Sequence, residues 1–226
     1  MITRSKNIQE HIGGFMAHPF RHFRTITKHR HKVIANCARV GILWQGLRHD
    51  LSKYSPTEFL PGAHYYTDGT RSPNERERLE HGCSYAWMHH KGRNRHHFEY
   101  WVDYNPVQRR QMPVKMPLKY VVEMFCDRVA ASKIYMGDAY HDGKPLEYYL
   151  GGKANRIIHP DTAAMIEYFL RYLACNGEKT TFAFIRTFLR THRDYSAQML
   201  LQSQYLLPDI PVASENNSRQ EENVKR

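Results

Sequence analysis

The amino-acid sequence predicts an all-α fold. Three observations carry that expectation. Apolar residues recur at helical spacing over several long stretches, helix-capping residues stand at the ends of some of them, and no pair of segments alternates apolar and polar residues as a half-buried sheet requires. The 226 residues suffice for one sizeable core. With 41% hydrophobic and 24% charged residues, the chain belongs among ordinary globular proteins rather than disordered ones.

The elements follow in order. Residues 1–19 are polar and broken by Gly13, Gly14 and Pro19, so they read as an N-terminal arm. Residues 20–207 read as one helical domain, with a core over 20–137 and C-terminal helices over 138–207. The first helix is expected from Phe20 to Gly46, with Ile26, Val33, Ile34, Cys37 and Val40 at helical spacing and Gly46 ending or bending it. The stretch "YSPTEFLPGAHYYTDGTRSPNE" carries Pro56, Pro61, Gly62, Gly69 and Pro73, which predicts a long loop with room for one short helix. Ser72 as N-cap and Pro73 at the first helical position open a helix to about His90. "GRNRHH" interrupts, and "FEYWVDYNPVQRRQ" is expected to be short and partly helical. Pro117 starts the clearest helix, with Val121, Val122, Phe125, Val129 and Ile134 on its buried side. "HPDTAAMIEYFLRYLACNG" predicts another, ended by Asn176-Gly177, and "TTFAFIRTFLRTHRDYSAQMLLQSQYLL" the last. Residues 208–226 have almost no apolar content and predict a disordered tail.

Composition excludes several function classes. No run of about 18 apolar residues exists, so no membrane span is expected. The start "MITRSKNIQEHIGGF" lacks the apolar segment of a secretory signal, which predicts a cytoplasmic protein. The four cysteines, Cys37, Cys83, Cys126 and Cys175, form no CxxC pair, which excludes a zinc finger or a thioredoxin motif. Cys37 and Cys126 fall on apolar helix faces, as small hydrophobes do. The net charge of +11 favours anionic partners: a phosphorylated small molecule, a nucleotide or nucleic acid. The 15 histidines concentrate between His11 and His31, at His49 and in "HHKGRNRHH", and histidine is the commonest metal ligand.

The segment "QGLRHDLSKYSP" places His49, Asp50 and Lys53 within five residues of one another. This is either a helix end with ordinary polarity or a metal site. Asp127 lies inside the apolar helix after Pro117, among Met124, Ala130, Ala131 and Ile134. A carboxylate there must be paired, hydrogen-bonded or metal-bound. His29 continues the stripe Ile26, Val33, Cys37 and is expected to face inward, while His31 lies off it. Taken alone, an inward histidine such as His29 is more often a satisfied core residue than a ligand. Taken together, the order of a histidine, a His-Asp pair, a histidine cluster and a late aspartate points to a divalent metal: Mg, Mn, Fe, Co, Ni or Zn. Neighbours such as His49 and Asp50 converge on one metal only if the helix is distorted or ends there, and Asp50 has the oxygens to bridge two ions.

These residues carry a resemblance. "LRHDLSK" resembles the "LLHDIGK" core of the HD-domain superfamily of metal-dependent phosphohydrolases, "EMFCDRVAA" its closing "lADR" helix, and "HRHKVIANCARVG" its first-histidine "HxxxV" helix. The similarity covers roughly residues 20–137. The chain is also similar to a bacterial family of unknown function that shares "QGLxHDLSKxSPTEF" and "HHKGRNxHHxEYW". The resemblance implies an HD-like helical bundle with additional C-terminal helices, and metal ligands at His29, His49, Asp50 and Asp127. It puts Lys53 in the catalytic machinery. Dinuclear members carry extra histidines between the pair and the last aspartate. Here that implies His89, His90 and His97, with His96 as a further candidate, although their spacing is tighter than usual. The other reading of "HHKGRNRHH" is a basic surface loop. Arg93 and Arg95 are expected to bind phosphate oxygens bidentately, with Lys91 adding charge. One or two divalent ions follow, and three functions: a phosphohydrolase of a nucleotide or other small phosphorylated compound, an HD-type di-iron oxygenase, or a nucleic-acid-binding protein or nuclease.

Overall fold

Pro19 sits at the first turn of α1 (Pro19–Val40), where its missing N–H costs nothing. The computed structural model describes residues 18–67, 72–205 and 207. The expected tail and all but the last two residues of the expected arm lie outside them. In α1 the stripe Ile26, Val33, Cys37 and Val40 is buried, and His29 lies on it. The helix ends earlier than expected, because Gly41 takes the left-handed conformation (φ 88°) that an L side chain resists. The chain then folds back as α2 (Leu43–Arg48) against α1.

Gly46 makes that approach close enough. A Cβ built on it would stand 2.6 Å from the Cβ of Cys37 and 3.3 Å from the Cα of Ile34, atoms that cannot swing away. Gly46→Ala is therefore expected to lever α2 off α1 and destabilise the protein by about 1–3 kcal/mol, the usual cost of overpacking. Thermal unfolding checks this, and an unchanged melting temperature would mean that the two helices yield freely.

The expected loop contains α3 (Pro56–His64), with Pro61 inside it. The single helix expected from Ser72 is two, α4 (Pro73–His81) and α5 (Tyr85–Arg93). Gly82 breaks them apart at φ 73°, and Ser84 caps α5 by accepting from the Trp87 N–H at 3.0 Å. Gly92 does not interrupt α5. The next segment corrects another expectation. Only Phe98–Tyr100 is helical, as one 3-10 turn, and the rest is an antiparallel hairpin of β1 (Val102–Asn105) and β2 (Arg110–Pro113). Its turn is set by Asn105, whose Oδ1 accepts from the N–H groups of Val107 and Gln108.

The centre of the molecule is α6 (Leu118–Met136). Val121, Val122, Phe125 and Val129 on it are wholly buried, whereas Ile134 is half-buried. It packs between α1 and α8 (Pro160–Thr191), with α7 (Lys144–Gly151) alongside. Met165, Ile166, Phe169, Leu173, Ile185 and Phe188 of α8 complete the core. The two helices expected at the end meet within α8 at Gly177, whose φ of 72° and ψ of 169° break the helical path. The last helix stops at Thr191, and 3-10 turns follow at Met199–Leu201 and Ser203–Tyr205. The fold is all-α apart from the hairpin. No helix among the described residues is long and apolar enough to cross a membrane. Cys37 and Cys126 are free and buried in the core.

Candidate metal centre

The chain turns sharply where α2 ends. Arg48 is its last helical residue, His49 leaves the helix with ψ 129°, and Asp50 adopts the left-handed conformation at φ 53°. Aspartate tolerates that region better than most residues, but at a cost on the order of 1 kcal/mol. The result is that His49 and Asp50, which would diverge on a regular helix, turn their side chains to one point. Arg30 pins the turn from α1. It donates to the carbonyls of Leu47 and His49, the latter at 3.2 Å.

Two groups of donor atoms form around Asp50, and within each the atoms lie within 4.8 Å of one another. The first holds His29, His49, Asp50 and Asp127. The Nε2 of His49 is 3.3 Å from Asp50 Oδ2 and 3.7 Å from Asp127 Oδ1, and the Nε2 of His29 is 3.0 Å from Asp127 Oδ1. The second holds Asp50, His90, His96 and His97. Asp50 Oδ1 is 3.3 Å from the Nε2 of His90 and 3.5 Å from that of His96, and the Nε2 atoms of His90 and His97 are 2.9 Å apart. Ligand atoms about 2.0–2.2 Å from a common ion stand a little over 3 Å from each other, which is the separation seen here. Asp50 is common to both groups and offers a different oxygen to each.

The donors fit a metal in a second respect. The Nε2 atoms of His29, His49 and His96 and Oδ1 of Asp50 are buried and make no hydrogen bond of good geometry. A buried polar atom without a partner costs about 1–3 kcal/mol, and four at one point are a heavy cost unless something else binds them. Their outer atoms, in contrast, are tied down. Glu123 Oε1 takes both the Nδ1 of His49 at 2.9 Å and the Nδ1 of His96 at 3.2 Å, while Gln45 donates to its other oxygen. Glu58 does the same for the Nδ1 atoms of His89 and His90, each at 2.7 Å. A carboxylate on Nδ1 holds the proton there and leaves Nε2 with its lone pair toward the centre.

Electrostatics favour a free Nε2 at His29 and His97 and oppose it at His49. Burial pushes the Asp50 carboxyl up, but His49, Lys53 and His90 outweigh it and hold the group well below the usual carboxylate range. Asp127 is lowered likewise, with His29 and His49 outweighing burial. Burial lowers His29, and burial with the neighbouring His96 and His90 lowers His97, so both favour the neutral form that binds metal. His49 is raised, because Asp50, Asp127 and Glu123 outweigh its burial. Metal binding there must displace a proton.

The other sequence candidates fall differently. Lys53 Nζ lies 2.7 Å from Asp50 Oδ2, and Asp50 outweighs burial to raise its pKa, so it is a fixed cation. His89 is not among the converging donors: it pairs with Glu58, and neither group includes it. His96, 1% exposed, takes the place expected of it. The reason is that α5 ends at Arg93, so the chain turns back and brings two adjacent histidines inward. Arg93 and Arg95 are both exposed and are not drawn into the centre. Arg93 reaches back to the carbonyl of His89, and Arg95 reaches the Tyr120 hydroxyl, with its guanidinium over the Tyr100 ring. Glu123 and Glu58 were not anticipated. Glu123 stands one helical turn before Asp127, and two carboxylates at that spacing repel unless cations lie between them, which is the signal the sequence offered.

A cavity of about 100 Å³ opens beside the centre, reached by Lys53, Glu58 and His90 and walled by His22, Tyr66 and Tyr135. The His22 ring packs near Phe59 and Tyr66, and Gly62 lies so close that any Cβ would touch it. Burial, helped by Lys53, lowers its pKa to about 4. A folded pKa below the unfolded value means stability present in full above pH 6.5 and lost as pH falls toward 4. At 1.36 kcal/mol per pKa unit, His22 is expected to take about 2 kcal/mol from stability between pH 7 and pH 5. Urea unfolding at both values checks this, with His22→Leu expected to flatten the difference by that amount.

A family described as "Family of unknown function (DUF5662)" matches residues 18–172, more than half of the chain. No curated protein and no solved structure matches.

Proposed function

The chain belongs to this family of unknown function, and we propose that it is a metal-dependent hydrolase of phosphoester bonds in a small phosphorylated substrate, with two divalent ions sharing Asp50. One observation carries the reading: two four-residue donor groups meet at Asp50, and four of their inner atoms, the Nε2 of His29, His49 and His96 and Oδ1 of Asp50, are buried without a hydrogen bond. His29, His49 and Asp127 would hold one ion, and His90, His96 and His97 the other. Bound divalent ions supply an activated water and charge compensation at phosphoryl oxygens. The order of these ligands along the chain is what the likeness to HD-domain phosphohydrolases leads one to expect.

The chain's own residues do the rest. Glu123 and Glu58 hold three histidine rings in the tautomer that presents Nε2 inward. Lys53 neutralises Asp50 Oδ2 and, as a permanent cation, serves charge compensation better than proton donation. The net charge of +11 draws an anionic substrate toward the molecule.

A second reading is a di-iron oxygenase. It is favoured by the histidine content of the two groups, since imidazole is a good ligand for iron. Elemental analysis of protein purified without added metal, beside Asp50→Ala, comes first, followed by a panel of phosphoesters. Two equivalents of manganese, cobalt, nickel, zinc or iron, lost in the variant, with hydrolysis of a phosphoester, support the proposal. Iron with oxygen uptake and no hydrolysis supports the second reading. No metal, even after reconstitution, overturns both.

A further inference from the structure

A second cluster of charged side chains lies next to the centre and takes no part in it. Arg128 follows Asp127 on α6, Glu99 comes two residues after His97, and Arg156 stands in the loop before α8. Both guanidiniums lie over the ring of Tyr149, Arg156 at 4.3 Å from its centroid and Arg128 at 5.3 Å. Tyr149 is 1% exposed, and its hydroxyl donates to the Ala163 carbonyl, so the platform is fixed.

What distinguishes this cluster is that its charges are not satisfied. Arg128 Nε, Arg156 Nη1 and Glu99 Oε2 are each buried without a hydrogen-bond partner. Neither arginine forms an ion pair among the described residues. Elsewhere the protein pairs its half-buried cations: Lys115 with Asp194, Lys133 with Glu178, Arg171 with Glu167. Here two guanidiniums lie against one ring, and no carboxylate among the described residues pairs with either. Glu99 does not settle between them. It forms no ion pair with either arginine among the described residues, and its Oε2 has no hydrogen-bond partner. Two desolvated guanidiniums without counter-ions are costly until an anion joins them, and their planar forks match phosphate oxygens.

We propose that Arg128 and Arg156, stacked on Tyr149, form a binding site for a phosphate group separate from the metal centre. Resting on the hydrolase reading, this site takes a second anionic group of the substrate, so that the substrate class is a small molecule carrying another phosphate besides the one cleaved. Arg93 and Arg95, exposed and turned away, are not the phosphate-holding pair.

The test is calorimetric titration of the full chain with inorganic phosphate, as purified and again after chelator treatment and dialysis. Binding is expected in both samples. Arg156→Met and Arg128→Met are each expected to weaken it about tenfold or more, and Arg93→Met to leave it unchanged. Gly152→Ala guards against misfolding, because its Cβ would stand 2.7 Å from Arg156 Nη2 and displace only the end of that side chain. It should weaken phosphate binding while circular dichroism stays that of the parent. No phosphate binding, binding that Arg156→Met and Gly152→Ala both leave intact, or binding that the chelator alone removes would overturn the site. If the panel yields a hydrolysed substrate with two phosphates, Arg156→Met should raise its KM about tenfold and leave a monophosphate's KM unchanged. Equal effects on the two would overturn the substrate class while leaving the site. Phosphate binding without any hydrolysis would instead count against the hydrolase reading and not against the site.

Discussion

Asp50→Asn is expected to lose both metal ions and to lower hydrolysis by a factor on the order of a thousand, the several kcal/mol that metal-borne charge stabilisation contributes. No other residue belongs to both four-residue groups. An amide has one oxygen to offer and no charge, so it cannot serve two ions at once. The asparagine keeps the shape and tolerates φ of 53°, which isolates the loss of charge from backbone strain. Asp50→Ala adds that strain and is expected to be less stable than the asparagine variant by about 1 kcal/mol more. Metal-free stability should also drop in both, because Lys53, His49 and His90 lose the carboxylate that offsets their burial. Removing one partner from such a buried network costs about 3–5 kcal/mol. Elemental analysis, turnover and urea unfolding of the three proteins check the set. Full metal content in Asp50→Asn would mean that the ions lie elsewhere.

The helical class was legible because the buried stripes on α1, α6 and α8 repeat at 3.6 residues, and packing in the core preserves that period. Boundaries were less legible. Gly41 and Gly82 end helices by taking positive φ, and whether a glycine does so depends on what the next element packs against. Gly92 stays helical. The hairpin left no signal, since Asp103, Tyr104, Arg110 and Gln111 are exposed on a two-stranded ribbon that buries no apolar face. At the centre, the helix faces turned His29 and Asp127 inward, and the likeness to HD-domain proteins implied His29, His49, Asp50 and Asp127 as a set. The choice between His89 and His96 was not legible. It turns on where α5 stops, and one residue of helix more or less rotates a histidine by about 100°. Glu123 and Glu58 were hidden for a different reason. Their role comes from contacts 74 and 32 residues away along the chain, to His49 and His90, which no local pattern encodes.

Glu123 gives the second large expected effect. Its carboxyl touches one histidine from each donor group, His49 from the first and His96 from the second, yet it belongs to neither four-residue group. Burial pushes its pKa up, but the two histidines outweigh this and hold it at about 2, so it is ionised wherever the protein is folded near neutrality. Glu123→Gln keeps the size and the contact to Gln45 but removes the negative charge that fixes both Nδ1 protons. Loss of such an outer carboxylate typically lowers metal affinity about 10–100-fold. Because the two rings serve different groups, both ions should weaken together, which replacing a ligand of a single group would not do. Glu58→Gln provides the contrast. Glu58 supports His90 alone among the donors, so only the second group should weaken. A two-site metal titration with a chromophoric competitor separates the cases. One ion weakened by Glu123→Gln with the other untouched would mean that His49 and His96 bind the same metal, and that Asp50 does not divide the centre in two.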